Sequence, residues 1–263
     1  VIVVAMRWKT VAVLVGVAAV AAGAFVLGLG LFALGVRFAL RRSDEAARAV
    51  FLGSISYLPL LWADALAPIR LLDLESVHPL VGAVVGVLVF ELLVYVWHRA
   101  MHKHHWLWRA FHQMHHSAER VDSFGAFYFS PLDIAGFAML SSLTLTVVGL
   151  PAQSVTWYLY ATMFLATFQH TNIRTPQWLG YIVQRPESHS VHHGRRIHHL
   201  NYSDLPLFDL IFGTFRNPKD FVAESGFEGV SSAQILDMLA CRDVAAGEFE
   251  QSVKPASPQT VRP

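Results

Sequence analysis

Fourteen histidines stand beside a single cysteine in this chain of 263 residues, and most of the histidines are grouped. The stretch from Tyr95 to His116 reads YVWHRAMHKHHWLWRAFHQMHH. Taken as helix, it places His98 and His102 four apart on one face, and His112, His115 and His116 at i, i+3 and i+4 on another. PESHSVHHGR repeats the second spacing with His189, His192 and His193. Neutral imidazole is the commonest metal-ligating side chain and binds iron, zinc or copper through either ring nitrogen. Solvated surface histidines are the ordinary alternative. Three groups in succession, HxxxH, HxxHH and HxxHH, each at ligand spacing for one helix face, weigh against it. Cys241 alone allows neither a disulfide within the chain nor a thiolate metal site. HExxH, the signature of a zinc protease, is absent.

The elements that must carry these histidines read as membrane helices. The chain is 54% hydrophobic and 15% charged, against about 25% charged for an ordinary soluble domain. A net charge of +1 offers no basic field for nucleic acid. Thr10 to Val36 carries no charge and, at ~1.5 Å per residue, exceeds a ~30 Å hydrocarbon core. A signal peptide competes for this stretch because Arg7 and Lys9 precede it, but the apolar run outlasts the usual ~7–15-residue core. Ala49 to Ala63, interrupted by Pro59, reads as a kinked span or a re-entrant segment. Leu80 to Trp97 is apolar except for Glu91 and runs directly into His98. Between Asp133 and Arg174 there is no Asp, Glu, Lys or Arg, and Gly149-Leu150-Pro151 lies near the middle, the pattern of two passes joined by a turn. Two passes return His170 to the side of His116 and His189.

Arg37, Arg41, Arg42 and Arg48, and later Arg174, Arg185, Arg195 and Arg196, place that side in the cytoplasm. The expected fold is therefore all-α: an integral-membrane helical bundle of four or five spans. Glu91, seven residues before His98, shares its helix face and is expected to accept a hydrogen bond from a ligand, with plain helix packing as the alternative. His104 and His105 read as surface residues, and His78 lies at the opposite membrane face. Leu107, Trp108 and Phe111 give the Lys103–His116 stretch an apolar stripe. Ser231 to Cys241 reads as a short surface helix, and the Pro- and Ser-rich end from about Gln251 as disordered.

HRAMH, LWRAFHQMHHS, FQHTN, HSVHHG and NYSDLPLFDLIFGTF, taken together, resemble the successive motifs of the fatty acid hydroxylase superfamily, which includes sterol desaturases, sterol methyl oxidases and lipid hydroxylases. The resemblance runs from about Leu80 to Pro218. It implies membrane helices capped by a cytosolic helical lobe, with a dinuclear histidine metal site between them. The corresponding division is an N-terminal membrane part at 1–77, a catalytic domain at 78–218 and a cytosolic tail at 219–263. The implied ligands are His98, His102, His112, His115, His116, His170, His189, His192 and His193. His198 and His199 fall outside the ligand pattern and are candidates for the surrounding shell, with Glu91, where family members often carry Asp.

The resemblance further implies two iron ions, O2 as co-substrate and an external electron donor: a ferredoxin, a cytochrome of the b5 type or a reductase. Hydrogen would be abstracted from an unactivated C–H bond of a lipid, giving an alcohol, or an alkene in a desaturase with the same site. No side chain is assigned as nucleophile, general acid or general base. Sterols, fatty acyl chains and aminolipids all suit such a site. Arg109, Arg195 and Arg196 are candidate docking residues for an acidic donor or for lipid headgroups. The expected location is a bacterial inner membrane, multi-pass, with the metal site on the cytoplasmic side. A non-catalytic membrane metal-binding or transport protein is the alternative from another class.

Overall fold

The computed structural model describes residues 22–23, 25–46, 48–50, 52–53, 72, 74, 76–229 and 231–245. Among these the architecture is all-helical, with one isolated bridge between Gly194 and Ser225. Residues 25–41 are helical. Residues 10–21 and 24 of the expected first span, and most of Ala49 to Ala63, lie outside the described residues.

Three long helices follow: α1 (Pro79–Lys103), α2 (Pro131–Val148) and α3 (Ala152–Gln169). Proline opens α1 and α2 at a position where its missing N–H costs nothing. His78 caps α1, its Nδ1 accepting from the Leu80 amide at 3.3 Å. Ser130 caps α2, its Oγ accepting from the Asp133 amide at 3.1 Å. Gly149 takes a φ of +60° and its amide closes on the Leu145 carbonyl at 3.0 Å, which stops α2 ahead of Pro151. The Gly-Leu-Pro turn read from the sequence is thus the link between α2 and α3. Both α1 and α2 are long and apolar enough to cross a membrane. Along α1, Leu80, Val84, Leu88, Leu92 and Val96 recur every four residues and are exposed, an apolar stripe along one side of the helix.

The described residues fall into two compact units, one within 1–90 and 134–158, the other within 91–133 and 159–263. In the first, Ser141 and Tyr158 share a hydroxyl hydrogen bond of 3.0 Å, and Phe90 stands edge-on to Tyr158 at 5.8 Å. Gly82 and Gly86 allow close approach there: a Cβ would come within 2.6 Å of Ser154 Oγ and 2.7 Å of Leu150 Cδ1 respectively.

The second unit holds every grouped histidine. The chain from His105 to His116 is not the single α-helix its spacing suggests. It comprises one turn over His105–Leu107, a π-helical turn over Trp108–His112 and an α turn over Gln113–His116. Beyond α3, Pro residues open two short helices, α4 (Pro186–His192) and α5 (Pro206–Phe212), and Gly213 ends α5 at a φ of +73°. Asp209 knots the loop before α5 to the loop after it. Its carboxylate accepts from the Tyr202 and Ser203 amides at 2.8 and 2.9 Å and from the Thr214 hydroxyl at 2.6 Å. Beside α4, buried Arg185 pairs with Glu187 at 3.0 Å and donates to Thr175 and Asn217. Asn217 lies against Gly180 so closely that no Cβ fits there.

Trp108, Met114, Phe227, Met238, Val244 and Ala245 form a buried apolar cluster. The expected short helix of the tail is a 3-10 turn over Ser231–Ala233 and α6 (Ile235–Leu239); Met238 anchors it in this cluster. Gln113 fastens the following segment by donating to the Arg242 carbonyl at 2.7 Å and accepting from the Val244 amide at 3.3 Å.

Candidate metal centre

Two groups of buried imidazoles converge in the second unit. His98 and His102 from α1, His112 and His116 from the π-helical segment and the turn after it, and His192 from α4 bring five ligand atoms within 4.8 Å of one another. His115, His170, His189 and His193 bring four more within the same limit. These are the nine residues that the sequence motifs single out. The groups adjoin, since the His116 and His193 rings stack at 4.3 Å.

Each HxxHH motif serves both groups, which corrects the expectation that each points its imidazoles one way. His112 and His116 enter the first group and His115 the second; His189 and His193 enter the second and His192 the first. Residues four apart share a face, and the histidine three along sits far enough round the helix to reach the neighbouring position. The two motifs are used reciprocally, so each position draws on several segments of chain.

Hydrogen bonds fix the tautomers. His98 Nδ1 lies 2.7 Å from the Tyr202 carbonyl, His192 Nδ1 2.7 Å from that of Leu200 and His170 Nδ1 2.7 Å from that of Ala166. His112 Nδ1 lies 2.6 Å from Asp133 Oδ2. These oxygens accept, so each Nδ1 carries the hydrogen and each neutral ring keeps its lone pair on Nε2. The Nε2 atoms then face one another: 2.8 Å between His98 and His112, 2.9 Å between His170 and His189, and 3.2 Å between His115 and His170.

Burial pushes the pKa values of His112, His115, His116, His189, His192 and His193 well below the usual imidazole value, and the neighbouring histidines push them further down. The rings are therefore neutral and able to ligate. Nε2 of His102, His116 and His192 is buried without a hydrogen-bond partner. Such orphans cost about 1–3 kcal/mol each in a protein interior, and a bound cation removes that cost. A nitrogen-only set without thiolate suits iron, zinc or copper and disfavours magnesium or calcium, which take oxygen ligands.

Around this centre the expected supporting residues take different places. Glu91 is fully buried, but it does not reach an imidazole. Its Oε2 accepts from the Asp204 and Leu205 amides at 2.8 and 3.0 Å, gripping the loop whose Tyr202 carbonyl orients His98. His198 is buried with its Nδ1 3.1 Å from His116 Nδ1, against Trp108 and Phe227. His199 makes a local contact with the Ile197 carbonyl and joins neither group. His105 bonds Asp243 at 2.8 Å in an exposed position, and His104 and His78 also lie outside both groups.

Asp133 takes part although it belongs to no histidine motif; in the sequence it only bounds an apolar stretch. A signal was present, because Ser130-Pro131-Leu132-Asp133 has the form of a helix-capping box whose acid need not be solvated. The carbonyls of Tyr202, Leu200 and Ala166 carried no such signal, since any residue supplies a carbonyl. Burial raises the Tyr202 phenol to about 12, so it stays neutral. Asp204, which accepts from Gln169 at 2.7 Å, is raised to about 6, also by burial.

The sequence profile described as fatty acid hydroxylase matches residues 83–214, half of the chain and the part that carries all nine histidines. The chain belongs to the fatty acid hydroxylase family. Among curated relatives it is 34% identical over 165 residues to ornithine lipid hydroxylase OlsE of Rhizobium tropici, covering 60% of this chain and 49% of that protein. It is 27% identical over 142 residues to human cholesterol 25-hydroxylase, covering 49% of each. It is 26% identical over 162 residues to very-long-chain aldehyde decarbonylase GL1-5 of Oryza sativa subsp. indica, covering 57% of this chain and 26% of that protein. The chain thus spans about half or less of the length of these members of the family. No solved structure matches it.

Proposed function

We propose that this chain is an O2-dependent, di-iron membrane oxidoreductase that hydroxylates an unactivated C–H bond of a lipid. The observation that carries the reading is the convergence of nine buried histidines, the tautomers of His98, His112, His170 and His192 set by oxygen acceptors, into two adjoining groups. Two bound ferrous ions supply the redox chemistry with O2 that breaking such a bond requires. His98, His102, His112, His116 and His192 hold one ion, and His115, His170, His189 and His193 the other. Glu91 and Asp209 position the loop behind His98, and Trp108, fully buried beside His102 and His116, excludes water from that side.

The membrane setting is supported by α1, which carries exposed Leu92 and Val96 and buried His98 within seven residues. A lipid lying along that stripe is within about 9 Å, measured along the helix, of the ligand pair. The relatives named for ornithine lipid and cholesterol hydroxylation support a lipid substrate of the aminolipid or sterol kind. The site faces the cytoplasm of a multi-pass inner-membrane protein, where a ferredoxin, a cytochrome of the b5 type or a reductase delivers electrons. Untargeted lipid mass spectrometry tests this in cells expressing the wild type or the His115→Ala, His192→Ala pair, which removes one ligand from each group. A lipid that gains one oxygen only with the wild type is the expected result. Loss of two hydrogens would instead identify a desaturase, and no lipid difference with a donor supplied would contradict both.

A further inference from the structure

The two histidine groups are not equivalent, and the difference is electrostatic as well as numerical. In the first, His112 is backed by a carboxylate: Asp133, wholly buried, accepts from His112 Nδ1 at 2.6 Å, and its other oxygen, Oδ1, has no hydrogen-bond partner. In the second, the Nδ1 partners seen are neutral, the Ala166 carbonyl behind His170 and the Tyr128 carbonyl 3.4 Å from His115. Nδ1 of His189 and of His193 has no partner. A carboxylate behind an imidazole raises its basicity toward a metal, and its negative charge offsets part of the ion's charge in a dry site. A carboxylate buried this far from water is itself costly unless positive charge lies nearby, so the ion and Asp133 stabilise each other.

We propose that Asp133 makes the two positions unequal, so that the five-histidine group takes its divalent ion first and holds it more tightly than the four-histidine group. The inference rests on the dinuclear reading above. Asp133 is here a positioning residue, acting through His112, and the site would load in order: one ion beside the carboxylate, the second among the neutral-backed rings.

The test is a titration of metal-free full-length protein in detergent micelles with Co2+, followed by calorimetry and by metal counting after dialysis. The wild type should bind in two steps whose affinities differ by at least about tenfold. His192→Ala should weaken the tighter step and His170→Ala the weaker one, which assigns the steps without touching Asp133. Asp133→Asn should weaken the tighter step by about 10–100-fold and leave the other unchanged, while Asp133→Glu, which keeps the charge, should retain part of the gap. Equal affinities in the wild type, the reverse assignment by the two histidine variants, or equal weakening of both steps by Asp133→Asn would each overturn the inference. If Asp133→Asn does not fold, the order shown by the histidine variants, together with Asp133→Glu, still decides it. Absence of any Co2+ binding by the wild type would overturn the dinuclear reading itself.

Discussion

His98 and His112 meet Nε2 to Nε2 at 2.8 Å although each has its Nδ1 bonded to an oxygen, the Tyr202 carbonyl for one and the Asp133 carboxylate for the other. Two neutral rings held this way oppose lone pair to lone pair, an arrangement that a shared cation makes favourable. Their surroundings are protein on every side, so the rings have little room to turn away.

Ion binding should therefore stabilise the fold. At a free concentration about a hundredfold above the dissociation constant, one ion contributes about 2.7 kcal/mol. Thermal unfolding followed by intrinsic tryptophan fluorescence should move up by several degrees when Fe2+ is added anaerobically to metal-free protein. An unchanged midpoint would count against a folded-state metal site.

Glu91 acts through the loop it grips, and its variants should separate charge from hydrogen bonding. Glu91→Gln keeps an acceptor for the Asp204 and Leu205 amides and should preserve metal content. Glu91→Ala leaves both amides without that acceptor, at about 1–3 kcal/mol each. It should lower both stability and metal content, through displacement of Tyr202 and His98. Equal loss in the two variants would show that the charge itself is needed.

Buried and exposed ion pairs in the same unit should differ sharply. Arg185 and Glu187 are both buried, and removing one leaves the other uncompensated, so Arg185→Ala should cost about 3–5 kcal/mol. The Arg174–Asp220 pair is exposed at 2.7 Å, and Arg174→Ala should change stability by less than about 1 kcal/mol. Denaturant or thermal unfolding of the two variants compares them directly; similar costs would mean that Arg185 is more hydrated than its burial indicates.

Burial lowers the folded-state pKa values of the ligand histidines below their ordinary value of about 6.5. The unfolded chain thus binds more protons than the folded one below that pH, so the stability these neutral rings contribute is complete above about pH 6.5 and is lost as pH falls toward the depressed values. Metal-free protein should weaken progressively on acidification from about pH 6.5, and Fe2+ uptake by folded protein should change little between about pH 8 and about pH 6. Uptake that already falls steeply between those limits would show that protons compete at ordinary imidazole pKa values.

Much of the site was legible because metal ligation demands particular side chains at particular spacing. Eight of the nine histidines that lie together stand in the three spaced motifs, His170 joins them only by counting passes, and the Gly149-Leu150-Pro151 turn between α2 and α3 is plain in the sequence. The reciprocal split of the HxxHH motifs could not be read, because spacing alone does not say which of two adjoining positions each ring faces, and the π-helical turn at Trp108–His112 is announced by no residue type. Asp133 was hidden by its dual character, a plausible helix-capping acid by sequence and a histidine partner in space. Glu91 was recognised as a buried acid of consequence, but its partners are backbone amides 113 and 114 residues away, a pairing that one sequence does not encode visibly.

The most direct test of the dinuclear histidine centre is iron counting on purified chain reconstituted anaerobically and freed of excess metal, with elemental analysis set against protein concentration. The two groups predict two iron ions per chain in the wild type, about one when a single group is disabled by His170→Ala with His189→Ala, and none when His98, His112 and His192 are replaced together with those two. Failure of the folded wild type to retain iron, or retention that does not respond to these substitutions, would contradict the account.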